Sequence, residues 1–109
     1  MMKPPYRLRS SHIIRETLRY GARSRLSYGD IYTAPSADAE SVAIACIVGK
    51  RVHASSVVRH AIQRRVRAAC GKLIPLINGP YVIVIVVSDS VVLDMDFQVL
   101  MSDIYYAIQ

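Results

Sequence analysis

The stretch from Gly49 to Cys70, GKRVHASSVVRHAIQRRVRAAC, decides how the chain is read. It opens with a basic loop, Gly49-Lys50-Arg51-Val52-His53-Ala54, and Ser55 or Ser56 then offers a hydroxyl to cap a helix reaching about Cys70 or Gly71. Along that helix Val58, Ile62, Val66, Ala69 and Leu73 recur at helical spacing and form one apolar stripe. His60, Gln63, Arg64 and Arg67 gather on the opposite side, with Arg59 flanking them. Arg65 falls at the edge of the stripe, so its stem is buried and its head group is expected to snorkel outward. A helix with one apolar face has to lie on something, and the neighbouring sequence supplies it.

Downstream, Tyr81 to Val87 is apolar and β-branched on both faces, the pattern of a central strand covered on both sides. Upstream, Ser41 to Val48 reads as a second or split strand. With the helix between them, the two form a βαβ unit with parallel strands, a connection that is ordinarily right-handed. Farther upstream, Leu26 to Ala34 reads as one strand with Tyr28, Asp30 and Tyr32 on one side and Ile31 on the other. Residues 35–41 (PSADAES) are turn chemistry, which predicts antiparallel pairing of the strands on either side.

At the start, residues 1–9 form a basic extended arm in which Pro4 and Pro5 exclude an early helix. Ser10 or Ser11 then caps a short helix to about Tyr20, ended by Gly21, with Ile14 and Leu18 on one face and Arg15 and Arg19 beside them. At the other end, Asn78-Gly79-Pro80 is a turn, Asp89 to Asp94 a loop, and Asp96 to Gln109 an amphipathic helix facing Val99, Leu100, Ile104 and Ile108 inward. The order is αβ(β)αβα around a small mixed sheet, an α+β class, in one domain spanning 1–109.

The chain has 109 residues, is 52% hydrophobic and carries a formal charge of +6, enough apolar material for a core. The charge is segregated. Residues 1–25 hold seven basic side chains against Glu16, and residues 42–72 hold seven with no acid. The acids fall in residues 26–41 (Asp30, Asp38, Glu40) and 73–109 (Asp89, Asp94, Asp96, Asp103). Such alternation makes one basic face rather than a uniformly positive surface. Most of the bases are Arg, whose guanidinium fork matches two phosphate oxygens and stacks on nucleobases.

The chemistry points the same way. The loop Gly49–Ala54 runs straight into a helix N-terminus, where backbone N–H groups and the helix dipole favour phosphate. Lys50 and Arg51 add charge beside it, and Arg59, Arg64 and Arg67 extend the patch. An ordinary solvated helix mixes signs at i,i+4, yet no acid lies between Ser41 and Asp89. Tyr28 and Tyr32 read equally as packed tyrosines or as a stacking platform. His12, His53 and His60 lack carboxylate or thiol partners at ligand spacing, and the acids around Asp89–Asp96 read as caps. Cys46 and Cys70 read as buried, unpaired thiols of a reducing compartment. No zinc spacing, paired carboxylates or nucleophile–base set stands out. With no secretory signal at the start and no apolar run of membrane length, the expected location is the cytoplasm.

Gly49-Lys50-Arg51, followed after a short loop by Val58-Arg59-His60-Ala61-Ile62-Gln63-Arg64-Arg65-Val66-Arg67, resembles the signature of the bacterial ribonuclease P protein family. There a basic pair precedes a helix beginning Arg-Asn-Arg-x-x-Arg-Arg, usually with Lys before the last pair. Arg7-Leu8, the helix with apolar residues four apart, Gly21, the tyrosine of the first strand and the apolar strand before a last helix match in spacing. The resemblance implies a fold like the second domain of ribosomal protein S5, with a left-handed βαβ crossover. It implies a subunit that binds a catalytic RNA, one protein per RNA. That RNA, with Mg2+ that it mainly holds itself, is expected to carry the catalytic centre and to remove the 5′ leader of precursor tRNA. By position, Lys50, Arg51, Arg59, Arg64 and Arg65 would contact the catalytic RNA. Arg7, Ile14, Leu18, Tyr32, Gln63 and Arg67 would line or flank a groove for the leader. The sequence departs from the family pattern at His60, Ala61 and Gln63, which removes two charges. It also departs at Ile14 and Leu18, groove positions that are normally aromatic.

Three other readings are carried with it. A general or ribosome-associated RNA-binding module needs only the basic face. A major-groove DNA reader is weakened because no helix precedes helix 55–71 as in a helix-turn-helix unit. A stand-alone nuclease lacks an acid or His set to hold metal.

Overall fold

The computed structural model describes residues 10–35, 42–77 and 81–108. The basic arm 1–9 with Arg7, most of the 35–41 turn and the turn Asn78-Gly79-Pro80 lie outside them. In chain order the elements are α1 (Ser11–Tyr20), β1 (Ala22–Leu26), β2 (Gly29–Pro35), β3 (Ala43–Val48), α2 (Ser56–Leu73), β4 (Tyr81–Val87) and α3 (Phe97–Ile108), with short 3-10 turns at Ile74–Leu76 and Ser90–Leu93. The four strands form one mixed sheet in the order β1-β2-β4-β3. β3 and β4 are parallel neighbours, as the βαβ reading requires, and β4 is central.

Alternation along each strand sends side chains to two faces. On one face Ile31, Ile44, Cys46, Val48, Ile83, Ile85 and Val87 meet Ile62, Val66, Ala69, Cys70 and Leu73 of α2 and Leu100 and Ile104 of α3, the main core. On the other, Ala45, Val82 and Val84 are buried beneath Ile14 and Leu18 of α1, with Tyr32, Ile47 and Val86 half-buried around them. The first face is closed by two helices. The second carries one, so part of the sheet stays accessible there.

Four expectations are corrected. Residues 26–34 are not one strand. β1 and β2 form an antiparallel hairpin that reverses at Ser27 and Tyr28. Gly29 permits it, because a Cβ there would stand 2.1 Å from the Val86 carbonyl oxygen. The strand after the 36–41 segment does not pair with the one before it, since β4 inserts between β2 and β3 and bonds both. A strand apolar on both faces gains most in the middle of a sheet, and local turn chemistry yields to that burial. Tyr28 and Tyr32 do not share a face: Tyr28 sits in the reversal and enters the main core, and Tyr32 belongs to the α1 side. Finally, Val99 is 49% exposed: α3 buries Leu100 and Ile104 and packs Met101 and Ile108 against the core beside them, which turns Val99 outward.

The caps follow the sequence. Ser10 accepts from Ile13 N–H (3.3 Å) and Ser55 from Val58 N–H (3.4 Å). Asp89 caps the turn 90–93 by accepting from Val91 N–H at 3.0 Å. Gly21 ends α1 with extended backbone, and its lack of a side chain is required by close approach. A Cβ there would come within 2.5 Å of Thr17 O and 2.8 Å of Thr33 O.

Candidate nucleic-acid interface

The loop before α2 is held from within. Val52 N–H bonds Gly49 O at 3.0 Å, and Ser55 N–H donates to His53 Nδ1 at 3.0 Å. Arg59 Nη1 reaches back one turn to the carbonyls of His53 and Ala54, both at 2.8 Å. Arg59 is thus partly committed to holding the loop. Its Nε and Nη2 are left over from a five-donor fork. Lys50 and Arg51 stand exposed on the loop so held, and His60 and Arg64 are exposed along α2. Among the described residues, Lys50, Arg51 and Arg64 are in no ion pair. The three ion pairs between described residues lie elsewhere, at His12–Glu16, Arg23–Asp30 and Arg25–Asp30.

Arg65 has a different occupation. Instead of snorkelling, its guanidinium donates from Nε to Val92 O at 3.1 Å and from Nη2 to Met95 O, and it lies over the Phe97 ring, 5.5 Å from the centroid. It ties α2 to the segment leading into α3. The cause is simple: the turn 90–93 and the residues that follow it present the Val92 and Met95 carbonyls where the sequence predicts solvent.

On the accessible sheet face the structure brings Ile14, Leu18 and Tyr32 together over Val82 and Val84. Gln63 approaches from α2 and donates to Cys46 O on the edge strand β3 at 3.4 Å. Arg67, one turn further along α2, is half-buried and engaged. Its charge opposes the effect of burial on the Cys46 thiol, which nonetheless is pushed up to about 12. Burial also raises Cys70, so neither free thiol is a nucleophile at neutral pH. Of the predicted groove residues other than Arg7, Ile14, Leu18 and Tyr32 share the α1-side face and its apolar floor. Gln63 and Arg67 lie on α2, which packs against the other face and reaches the sheet edge through Gln63.

The sequence reading missed the far side of that floor. Arg23 stands opposite Tyr32, and Arg25 opposite Asp30, on β1. The signal was present in Ala-Arg-Ser-Arg-Leu, where arginines two apart share one face of a strand. It was hidden because residues 22–26 were not read as a strand. Among the described residues, no group of three or more His, Cys, Asp or Glu side chains is placed to hold a metal ion, and no helix is long and apolar enough to cross a membrane.

Comparison with known proteins agrees with this geometry. The sequence matches the family model Ribonuclease P over residues 2–109. A search of curated proteins returned no significant match. Among solved structures, a Staphylococcus aureus RNase P protein mutant with defective mRNA degradation activity superposes with a TM-score of 0.78 at 16% identity, covering 94% of this chain and 85% of that one. The RNase P protein of Thermotoga maritima gives a TM-score of 0.78 at 15% identity, with 94% of each chain covered. Another Staphylococcus aureus RNase P protein structure gives 0.69 at 15% identity, covering 98% of this chain and 89% of that one. At such identities the superpositions show the fold, and the family model carries the assignment: the chain belongs to the ribonuclease P protein family.

Proposed function

We propose that this chain is the protein subunit of ribonuclease P, binding the catalytic RNA and the 5′ leader of precursor tRNA during cytoplasmic tRNA maturation. Two observations support the reading. Exposed Lys50, Arg51 and Arg64 lie on α2 and its leading loop, and Ile14, Leu18 and half-buried Tyr32 lie on the sheet face opposite to the one α2 covers. The first group offers charge to a folded RNA backbone, where each phosphate contact releases counterions. The second offers an apolar floor and one aromatic ring to unstacked bases, a single-strand mode. Gln63 reaches from α2 to the Cys46 carbonyl on the edge strand β3, and the half-buried Arg67 follows one turn later. Arg59 holds the loop and has spare donors for phosphate. Arg65, engaged by Val92 and Met95, is left out of the proposed RNA contacts.

The chain's part in the reaction is binding and orientation. Holding the leader and the catalytic RNA on one rigid body lowers the entropic cost of bringing the cleavage site to the RNA's catalytic centre. Mg2+, held mainly by the RNA, would supply the phosphodiester chemistry, and no protein residue takes a chemical step. Reconstitution with a bacterial ribonuclease P RNA tests this: the protein should raise precursor cleavage when Mg2+ is limiting. RNA binding without any gain in cleavage would reassign the chain as a general RNA-binding module.

A further inference from the structure

The register of the β1–β2 hairpin places a charged cluster at the far end of the accessible sheet face. Two cross-strand rows run over that face. One is Arg23, Tyr32, Val84, Ala45, and the other is Arg25, Asp30, Val86, Ile47. Read across the sheet, each passes from an apolar half over β4 and β3 to an arginine on β1. Val84 and Ala45 are buried beneath α1, so the second row, with half-buried Val86 and Ile47, is the open one. The span from β3 to β1 is three inter-strand spacings, about 14 Å. Arg23 Nη2 donates to Asp30 Oδ2 at 3.2 Å, and Arg25 Nε lies 3.9 Å from Asp30 Oδ1. One carboxylate thus faces two guanidinium groups and leaves them in net positive excess. Both arginines remain open to solvent, at 50% and 81% side-chain exposure, while Asp30 is at 26%. A surface ion pair contributes little stability, about 0–1 kcal/mol, so folding alone does not account for two arginines on a single acid.

We infer that Arg23 and Arg25 form a second phosphate-binding rail, which receives the sugar–phosphate backbone of single-stranded RNA leaving the Tyr32 floor on the side away from α2. The inference rests on the leader-binding reading above and extends it. The ligand is fixed by chemistry: guanidinium forks match phosphate oxygens, and the adjoining floor is apolar with one aromatic ring, the combination that takes single strands. Asp30 has two effects. It holds the guanidinium groups in place, and it subtracts charge, so it weakens the rail it orders. Only RNA long enough to cross β4 and β2 reaches β1, so the rail senses leader length.

The test uses the protein reconstituted with ribonuclease P RNA and two precursors, one with a long leader and one with the leader trimmed to its last few nucleotides. The double variant Arg23→Ala/Arg25→Ala should bind the long-leader precursor roughly tenfold more weakly and lower its salt slope by about 1.4, two single-strand phosphate contacts. The trimmed precursor should bind as to wild type. Asp30→Asn should tighten the long-leader complex by roughly two- to fivefold, a gain that a misfolded protein cannot give. Arg23→Lys/Arg25→Lys should keep most of the salt slope. Equal loss for both precursors, or an Asp30→Asn variant no tighter than wild type, would overturn the rail. If wild-type protein fails to raise cleavage at all, the ribonuclease P reading itself falls, which is a different result from a rail that is absent in an active complex.

Discussion

Tyr28 and Tyr32, four residues apart, point to opposite faces of the sheet: Tyr28 is 1% exposed in the core with α2 and α3, and Tyr32 packs beside Ile14 and Leu18 under α1. Residues an even number apart share a face only while both lie in one strand. Tyr28 sits in the reversal before β2, so the alternation restarts at Gly29. The two rings consequently have different surroundings, one fully buried in the core and one half-buried on the α1 side of the sheet.

Because the Tyr28 hydroxyl is buried without a hydrogen-bond partner among the described residues, it is desolvated with nothing in return. Tyr28→Phe should keep the packing and leave stability unchanged or raised, by up to about 1 kcal/mol, in thermal or urea unfolding. A loss of that size would show that the hydroxyl is bonded after all.

For Tyr32 the expectation is opposite in kind. Tyr32→Ala should weaken precursor tRNA binding roughly 5- to 150-fold, the equivalent of a stacked base at about 1–3 kcal/mol, while mature tRNA binds as before. Parallel titrations of the two RNAs decide it, and an equal loss for both would take Tyr32 out of the leader path.

Arg64 and Arg65 are adjacent and should behave differently. Arg65→Ala removes the bonds to Val92 O and Met95 O and the contact with Phe97. It should cost about 1–3 kcal/mol of stability. Arg64→Ala removes an exposed charge and should leave unfolding unchanged, yet flatten the dependence of log K on log[salt] by about one. If Arg64→Ala leaves that slope intact, Arg64 meets water and not RNA.

Alkaline pH should destabilise the fold through its buried acids. Burial raises the Cys46 thiol from 9.0 to about 12 and raises Cys70 and Tyr28 as well. The folded state therefore keeps protons that the unfolded chain has released, and stability falls as pH rises. For Cys46 the contribution is whole below pH 9.0 and is lost on the way to about 12. Cys46→Ala should flatten the fall of unfolding free energy in that window by about 1.4 kcal/mol per pH unit, measured by urea unfolding across pH. Matching slopes in variant and wild type would mean that this thiol titrates normally.

The sequence by itself determined the elements whose signal is local. Ser10 and Ser55 mark the helix starts, the stripe Ile62, Val66, Ala69, Leu73 sets the buried face of α2, and the two-sided apolar run 81–87 identifies the central strand. It also determined the chemistry of the α2 face, because an acid-free run of arginine needs no neighbour to be recognised. What only the tertiary structure decided were relations between distant segments. β4 entered between β2 and β3 because burial of both its faces outweighs a nearby turn. Arg65 turned inward because Val92 and Met95 present carbonyls that no local pattern announces. Arg23 and Arg25 came to flank the Tyr32 floor because a hairpin reversal at Ser27 and Tyr28 set their register. Periodicity reports which way a side chain points within its own element, whereas its partner depends on which elements the chain brings together, and that follows from the burial of the whole sheet.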